Sequence, residues 1–86
     1  MSDLYIMNPS TIVMYSTTWC GDCKRAKKFF KKMGVDYLDI DVDKDEQGRD
    51  FVMEVNKGAR VVPTIIFPDG AVLVEPSTKE LRTKIS

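Results

Sequence analysis

The chain has 86 residues, of which 43% are hydrophobic and 30% charged, proportions that are ordinary for one globular domain. Its 13 basic and 13 acidic residues give a formal net charge of zero, so charge offers no argument for nucleic acid or a membrane surface as the main partner. Because no apolar run approaches the roughly 18 residues that span a bilayer and the start lacks the features of a signal peptide, we expect a cytoplasmic monomer.

The beginning of the chain predicts one strand that leads into a pair of cysteines. Residues 1–10 show no clear period and end in Asn-Pro-Ser, so we expect an N-terminal extension of uncertain order before a single domain at residues 11–86. Residues 11–15 are apolar and rich in β-branched side chains, which predicts a buried strand. A short loop then leads to Cys20.

A helix is predicted over residues 21–33. Ala26, Phe29, Phe30 and Met33 recur at intervals of three and four residues and form one apolar stripe. Gly34 follows as a C-terminal cap. The two phenylalanines are therefore expected in the core rather than in a reactive site.

The next segment predicts an edge strand. Residues 36–43 alternate strictly, with Leu38, Ile40 and Val42 facing inward and acidic residues between them facing outward. The spaced acids do not make a calcium loop, because the Gly and Glu that such a loop needs at its sixth and twelfth positions are absent. We therefore expect no metal here.

A second helix and a hairpin follow. Asp43 and Glu46 match a capping box that would open a helix at about residues 45–56. An apolar run at residues 61–67 and a second arm at residues 71–74 flank a tight turn, which predicts a β-hairpin.

The chain ends in a short predicted helix. Ser77 and Glu80 form its capping box, and Leu81 and Ile85 mark its inner face. The strand–helix–strand unit at the start requires a parallel pair with a right-handed crossover, and the hairpin adds antiparallel strands. We predict an α/β domain with a four-stranded mixed sheet flanked by three helices, an arrangement that resembles the thioredoxin fold.

Cys20 and Cys23 are the only cysteines, and the chain has no histidine. Two cysteines with two residues between them, at a strand-to-helix junction, are typical of a redox-active dithiol. A structural zinc site needs four ligands of Cys or His type, so the ligand count excludes a self-contained zinc site. The pair therefore predicts a disulfide that opens and closes.

The setting of Cys20 favours a reactive sulfur, because only a thiolate attacks a disulfide. Cys20 lies at the start of the predicted helix, where the backbone N–H groups from Gly21 onward and the helix dipole favour an anion. Lys24 and Arg25 add positive charge, whereas Asp22 opposes them. The basic residues that continue along this helix form either a solvated face or a surface that attracts anionic thiols.

Five segments together suggest a family. They are residues 13–23 with the Trp-Cys-Gly-Asp-Cys motif, Asp-Phe-Val at 50–52, Val-Val-Pro-Thr at 61–64, Phe-Pro-Asp-Gly at 67–70 and Glu-Pro-Ser at 75–77. In this order they resemble the small bacterial glutaredoxins, closest to the mycoredoxin-like subgroup. The resemblance implies that Cys20 is the nucleophile and that Cys23, more buried, resolves the mixed disulfide. It also implies a cis-proline at Pro63, which with Val62 would offer backbone groups to the substrate.

The chain departs from typical glutaredoxins where those proteins bind glutathione. Thr17 replaces their lysine three residues before the first cysteine, and residues 75–77 replace their Gly-Gly-x-Asp segment. We expect no bound cofactor, and glutathione, mycothiol or bacillithiol as a low-molecular-weight thiol co-substrate. Arg60 and Ser77 are candidate anion contacts, or else a solvated side chain and a plain helix cap. Trp19 either lines the substrate groove or shields the cysteines.

The leading hypothesis is a thiol–disulfide oxidoreductase that reduces protein disulfides, or mixed disulfides between proteins and a small thiol. Its partners would be disulfide-containing or S-thiolated proteins and a flavin-dependent reductase or small-thiol system. One alternative is a dithiol electron donor reduced by thioredoxin reductase and serving, for example, ribonucleotide reductase. The other is an iron–sulfur carrier, in which two chains share a cluster through Cys20 and two small thiols.

Overall fold

The computed structural model describes residues 3–85, which form a four-stranded mixed sheet with three helices. The elements in chain order are β1 (Ile12–Ser16), α1 (Gly21–Met33), β2 (Tyr37–Asp41), α2 (Glu46–Val55), β3 (Thr64–Ile66), β4 (Val72–Val74) and α3 (Thr78–Ile85). The sheet order is β2-β1-β3-β4, in which β1 runs parallel to β2 and antiparallel to β3, and β3 and β4 form an antiparallel hairpin. The predicted architecture is confirmed.

Two apolar clusters lie on opposite faces of the sheet, because successive strand side chains point to opposite sides. On the face covered by α1 and α3, the buried members are Met14, Ala26, Phe29, Phe30, Ile65, Phe67 and Leu81. On the face covered by α2, they are Val13, Tyr15, Val42, Phe51, Val52 and Ile66. The central strands β1 and β3 thus contribute to both cores, which explains their nearly continuous apolar sequences.

Helix α1 has the predicted bounds and ends as predicted. Gly34 adopts the left-handed conformation, with φ 68°, and its N–H donates to the carbonyl of Lys31 at 3.2 Å. Three members of the predicted stripe are buried, but Met33 is 47% exposed. Met33 therefore lies outside the core although it belongs to the stripe, whereas Phe30 in the same last turn is fully buried.

Strand β2 lies at a sheet edge, as predicted, but its inward face is only partly covered. Burial increases along the strand from Leu38, which is 41% exposed, through Ile40 to the fully buried Val42. The expectation that Leu38 is buried is wrong, because the α2 side chains pack at the Val42 end. On the opposite face, Asp39 pairs with Lys27 of α1 at 2.9 Å rather than facing only water.

Helix α2 is capped by a different aspartate from the one predicted. Asp45 is the N-cap, and its carboxylate accepts a hydrogen bond from the N–H of Gly48 at 3.3 Å. The assignment of Asp43 to this cap is wrong, because Asp43 is engaged by side chains from elsewhere in the chain. The capping box of α3 is confirmed, since Ser77 and Glu80 exchange hydrogen bonds of 3.0 and 3.1 Å.

Residues 3–10 are irregular and contact the rest of the protein. The backbone N–H of Tyr5 donates to the Tyr15 hydroxyl at 2.9 Å, and the Tyr5 hydroxyl donates to Asp45. Leu4 and Tyr5 pack against the α2-side cluster. Within residues 3–85, the helices are too short and too polar to cross a bilayer.

Candidate active site

The two cysteines occupy the first turn of α1. Cys20 is the N-cap residue, with extended backbone angles, and its Sγ accepts a hydrogen bond from the N–H of Cys23 at 3.1 Å. This N–H is one of those that a helix leaves without an internal partner, so it is available to stabilise negative charge on sulfur. Both cysteines are free thiols. The local structure thus points a helix N-terminus at Cys20.

The two thiols differ in their environments. Cys20 retains 8% of its accessible surface, whereas Cys23 is fully buried. Burial, together with the hydrogen bond to Cys20, raises the pKa of the Cys23 thiol to about 12. Cys20 therefore reaches incoming molecules, while Cys23 remains protonated behind it.

The opposite wall of the site comes from the segment before β3. The Val62–Pro63 peptide bond is cis, as predicted. The Cys20 thiol donates to the carbonyl oxygen of Val62 at 3.7 Å, so this segment faces the sulfur directly. Pro63 is buried, and Thr64 begins the strand that pairs with β1. The sheet therefore holds the wall in register with the loop that carries Cys20.

A cleft with a volume of about 410 Å³ opens beside Cys20, within the range of roughly 300–1,000 Å³ that is usual for small-molecule sites. Its lining residues are Trp19, Cys20, Gly21, Asp22, Arg60, Val61, Val62 and Glu75. The cleft is open at Gly21, since a Cβ added there would meet no atom of a more distant residue within 4 Å. Five of the ten predicted site residues thus meet at one place: Trp19, Cys20, Gly21, Arg60 and Val62.

The other five predicted site residues do not line the cleft. Cys23 and Pro63 are buried next to the lining residues Cys20 and Val62, and the remaining three lie elsewhere. Ser77 caps α3 through the N–H of Glu80. Lys24 lies exposed on α1, where its backbone N–H donates to the Cys20 carbonyl at 3.1 Å. Arg25 pairs with Asp22 at 3.0 Å and also donates to the carbonyl of Pro76 at 3.4 Å. Arg25 therefore largely offsets the carboxylate between the cysteines.

Asp43 is a site residue that the sequence analysis missed. Its carboxylate accepts a hydrogen bond from the indole N–H of Trp19 at 2.7 Å and forms an ion pair with Arg60. One side chain thus ties together two lining residues that are far apart in sequence. The sequence offered a weak signal for this role. Only one of the two aspartates before α2, Asp43 and Asp45, can cap that helix, so the other is available for a different contact.

Glu75 is the second missed residue. It follows β4 with a left-handed backbone, φ 49°, and its N–H donates to the Pro63 carbonyl at 2.9 Å. This places Glu75 at the cleft beside Val62. No sequence pattern indicated that a non-glycine residue would adopt this conformation.

A cysteine pair in the first turn of the helix after β1, facing a cis-proline segment before β3, defines a dithiol protein of thioredoxin-like fold. The sequence model of the glutaredoxin family matches residues 12–72, and the chain belongs to that family. Family membership indicates thiol–disulfide oxidoreductase activity. It also implies reduction of protein disulfides with a low-molecular-weight thiol as co-substrate.

Individual relatives agree with this assignment. The chain is 38% identical over 76 residues to Mycoredoxin 1 of Corynebacterium glutamicum, covering 88% of this chain and 94% of that protein. It is 35% identical over 79 residues to a protein of Mycobacterium tuberculosis named as a glutaredoxin, covering 92% and 94%. The crystal structure of a glutaredoxin from Archaeoglobus fulgidus superposes with a TM-score of 0.75 at 27% identity, covering 99% and 96%. The predicted resemblance to small bacterial glutaredoxins and mycoredoxins is confirmed.

Proposed function

We propose that this protein reduces protein disulfides, or mixed disulfides between proteins and a low-molecular-weight thiol, with Cys20 as nucleophile and Cys23 as resolving cysteine. The observation that supports these roles is the difference in environment between the two cysteines. Cys20 opens to the cleft and accepts a helix N-terminal N–H, whereas Cys23 is buried with a raised pKa. The thiol that is accessible attacks first.

The first step is attack on a mixed disulfide. The Cys20 thiolate bonds to the sulfur of the small thiol, the old S–S bond breaks, and the protein substrate leaves as a thiolate that takes a proton from water. The N–H of Cys23 stabilises the Cys20 anion before attack. Val62, whose carbonyl accepts a hydrogen bond from the Cys20 thiol, lines the path of the incoming sulfurs.

The second step regenerates Cys20. A second molecule of the small thiol attacks the Cys20 mixed disulfide and leaves as the symmetric small-thiol disulfide, so the small thiol supplies both electrons. In the alternative route Cys23 loses its proton, attacks the Cys20 sulfur and forms the intramolecular disulfide, releasing the small thiol. A flavin-dependent reductase or further small thiol then returns two electrons to that disulfide.

The cleft suits a small thiol as the partner. Trp19 is 68% exposed and offers an apolar face to the cleft. Among the lining residues in the described range 3–85, Arg60 is the one that carries a positive charge. Glutathione, mycothiol and bacillithiol are the candidates. We place this activity in the cytoplasm, where such thiols keep proteins reduced.

The test uses a mixed disulfide of a model protein with each small thiol, reduced by wild type, Cys20→Ser and Cys23→Ser. Cys20→Ser should lose all turnover, whereas Cys23→Ser should retain turnover when the small thiol supplies electrons. Turnover by Cys20→Ser would refute the nucleophile assignment.

The same variants test the alternative function, a dithiol electron donor. The hydrogen bond between the N–H of Cys23 and the sulfur of Cys20 supports this alternative as well, because it places the two cysteines side by side. Thioredoxin reductase with its nicotinamide cofactor replaces the small thiol as electron source. A protein that works only with the reductase, and only with both cysteines present, is a dithiol donor rather than the proposed mixed-disulfide reductase.

A further inference from the structure

The charges that line the cleft do not cancel. Asp22 is paired with Arg25, and Arg60 is paired with Asp43. The carboxylate of Glu75 has no hydrogen bond and no ion pair within residues 3–85. The cleft beside Cys20 therefore carries one uncompensated negative charge.

The backbone holds Glu75 in place from both sides. Its N–H is bonded to the Pro63 carbonyl at 2.9 Å, and the carbonyl of the next residue, Pro76, accepts a hydrogen bond from Arg25 of α1 at 3.4 Å. Pro76 is buried, whereas Glu75 is exposed. The backbone of Glu75 is thus fixed at the rim of the cleft, and its exposed side chain extends into solvent from that point.

An approaching substrate meets this charge before it reaches the sulfur. A carboxylate near the target disulfide would be repelled by Glu75 and would find Arg60 already engaged by Asp43. An ammonium or guanidinium group near the disulfide would be attracted instead. Because Glu75 is solvated, the expected effect is modest and depends on salt.

We propose that Glu75 selects substrates by charge, so that the site prefers protein mixed disulfides whose cysteine is flanked by Lys or Arg over those flanked by Asp or Glu. This inference rests on the proposed function, since it specifies the substrate class of the same cleft. Glu75 acts as a specificity-determining residue and takes no part in the bond exchange itself.

The experiment compares two peptides that differ only in the residue next to the cysteine, Lys in one and Glu in the other. Each peptide is a mixed disulfide with 2-mercaptoethanol, so the small-thiol portion is uncharged. Rates of attack are measured in the Cys23→Ser background, which isolates the first step. At low salt we expect the Lys peptide to react roughly two- to fivefold faster, with the difference shrinking as salt is added.

Two variants assign this preference to Glu75. Glu75→Gln, which keeps the size of the side chain, should abolish the preference, and Glu75→Lys should reverse it. Glu54→Gln is the matched control, because it removes the same charge from α2 at an exposed position that does not line the cleft. It should retain the preference.

The outcomes separate this proposal from the proposed function. If wild type reduces neither peptide, the proposed function fails. Equal rates for the two peptides in the Cys23→Ser protein with Glu75 unchanged overturn only the charge selection. A preference that persists in Glu75→Gln, or that disappears in Glu54→Gln, also overturns it.

Discussion

The burial of Cys23 has a measurable effect on stability at alkaline pH. Burial raises the pKa of this thiol from 9.0 to about 12 in the folded protein. The stability gained by keeping the thiol protonated is therefore fully present below pH 9 and is lost as the pH rises toward 12, because the unfolded chain ionises first. Replacing Cys23 with Ala removes this dependence.

The size of the effect follows from the two pKa values. At one pH unit above the pKa of the thiol in the unfolded chain, ionisation favours the unfolded state roughly tenfold. The folded state gains almost nothing, because its thiol stays protonated at that pH. A tenfold change corresponds to about 1.4 kcal/mol. Between pH 8 and pH 10, reduced wild type should thus lose about 1 kcal/mol more unfolding free energy than Cys23→Ala.

The assay is denaturant unfolding of both proteins under a phosphine reductant at pH 8, 9 and 10. Other groups that titrate in this range, such as Tyr5, Tyr15 and Tyr37, are present in both proteins, so their contributions cancel in the comparison. Cys20→Ser should retain the decline, because burial is the larger cause of the Cys23 shift. Parallel pH profiles for wild type and Cys23→Ala would refute the reasoning.

Two further substitutions test the fold around the site. Asp43→Ala should release the indole of Trp19, the single tryptophan, so that acrylamide quenches its fluorescence more easily. The loss of unfolding free energy should stay within about 1 kcal/mol, since both interactions of Asp43 are exposed. Unchanged quenching would contradict the contact between Trp19 and Asp43. Gly48→Ala should destabilise the protein by about 1–3 kcal/mol although Ala normally favours a helix, because the new Cβ would lie 2.9 Å from Cγ2 of Ile40, a branched and stiff side chain. Denaturant unfolding should show no such loss for Gly21→Ala, where no atom lies within 4 Å, and a Gly48→Ala protein as stable as wild type would show that Ile40 yields.

Local sequence patterns predicted the bounds of a helix correctly where a single short-range interaction sets them. The apolar stripe and Gly34 set the bounds of α1, and Ser77 with Glu80 set the start of α3, because each of these signals acts within a few residues. The position of Cys20 at the N-terminus of α1 followed from the same local logic. Such features are independent of what packs nearby.

Other features depended on contacts between distant residues. Asp43 and Asp45 both precede α2, and a local rule cannot choose between them once Trp19 and Arg60 compete for Asp43. The exposure of Leu38 depends on where α2 crosses the sheet, which the alternation in β2 does not reveal. Both features are set by contacts between elements that are far apart in the sequence.

The hydrogen bond from Tyr5 to Asp45 connects residues 3–10 to the loop before α2. Asp45 caps α2 and receives the Tyr5 hydroxyl, and it lies two residues after Asp43, the anchor of Trp19 and Arg60. The start of this loop is also held by the N–H of Val42, which donates to the carbonyl of Ser16 at 2.9 Å. Residues 3–10 therefore support the loop that positions Trp19 beside Cys20. A chain that begins at residue 11 would keep both cysteines but lose the Tyr5–Asp45 hydrogen bond, and with it the support of the loop that holds Trp19.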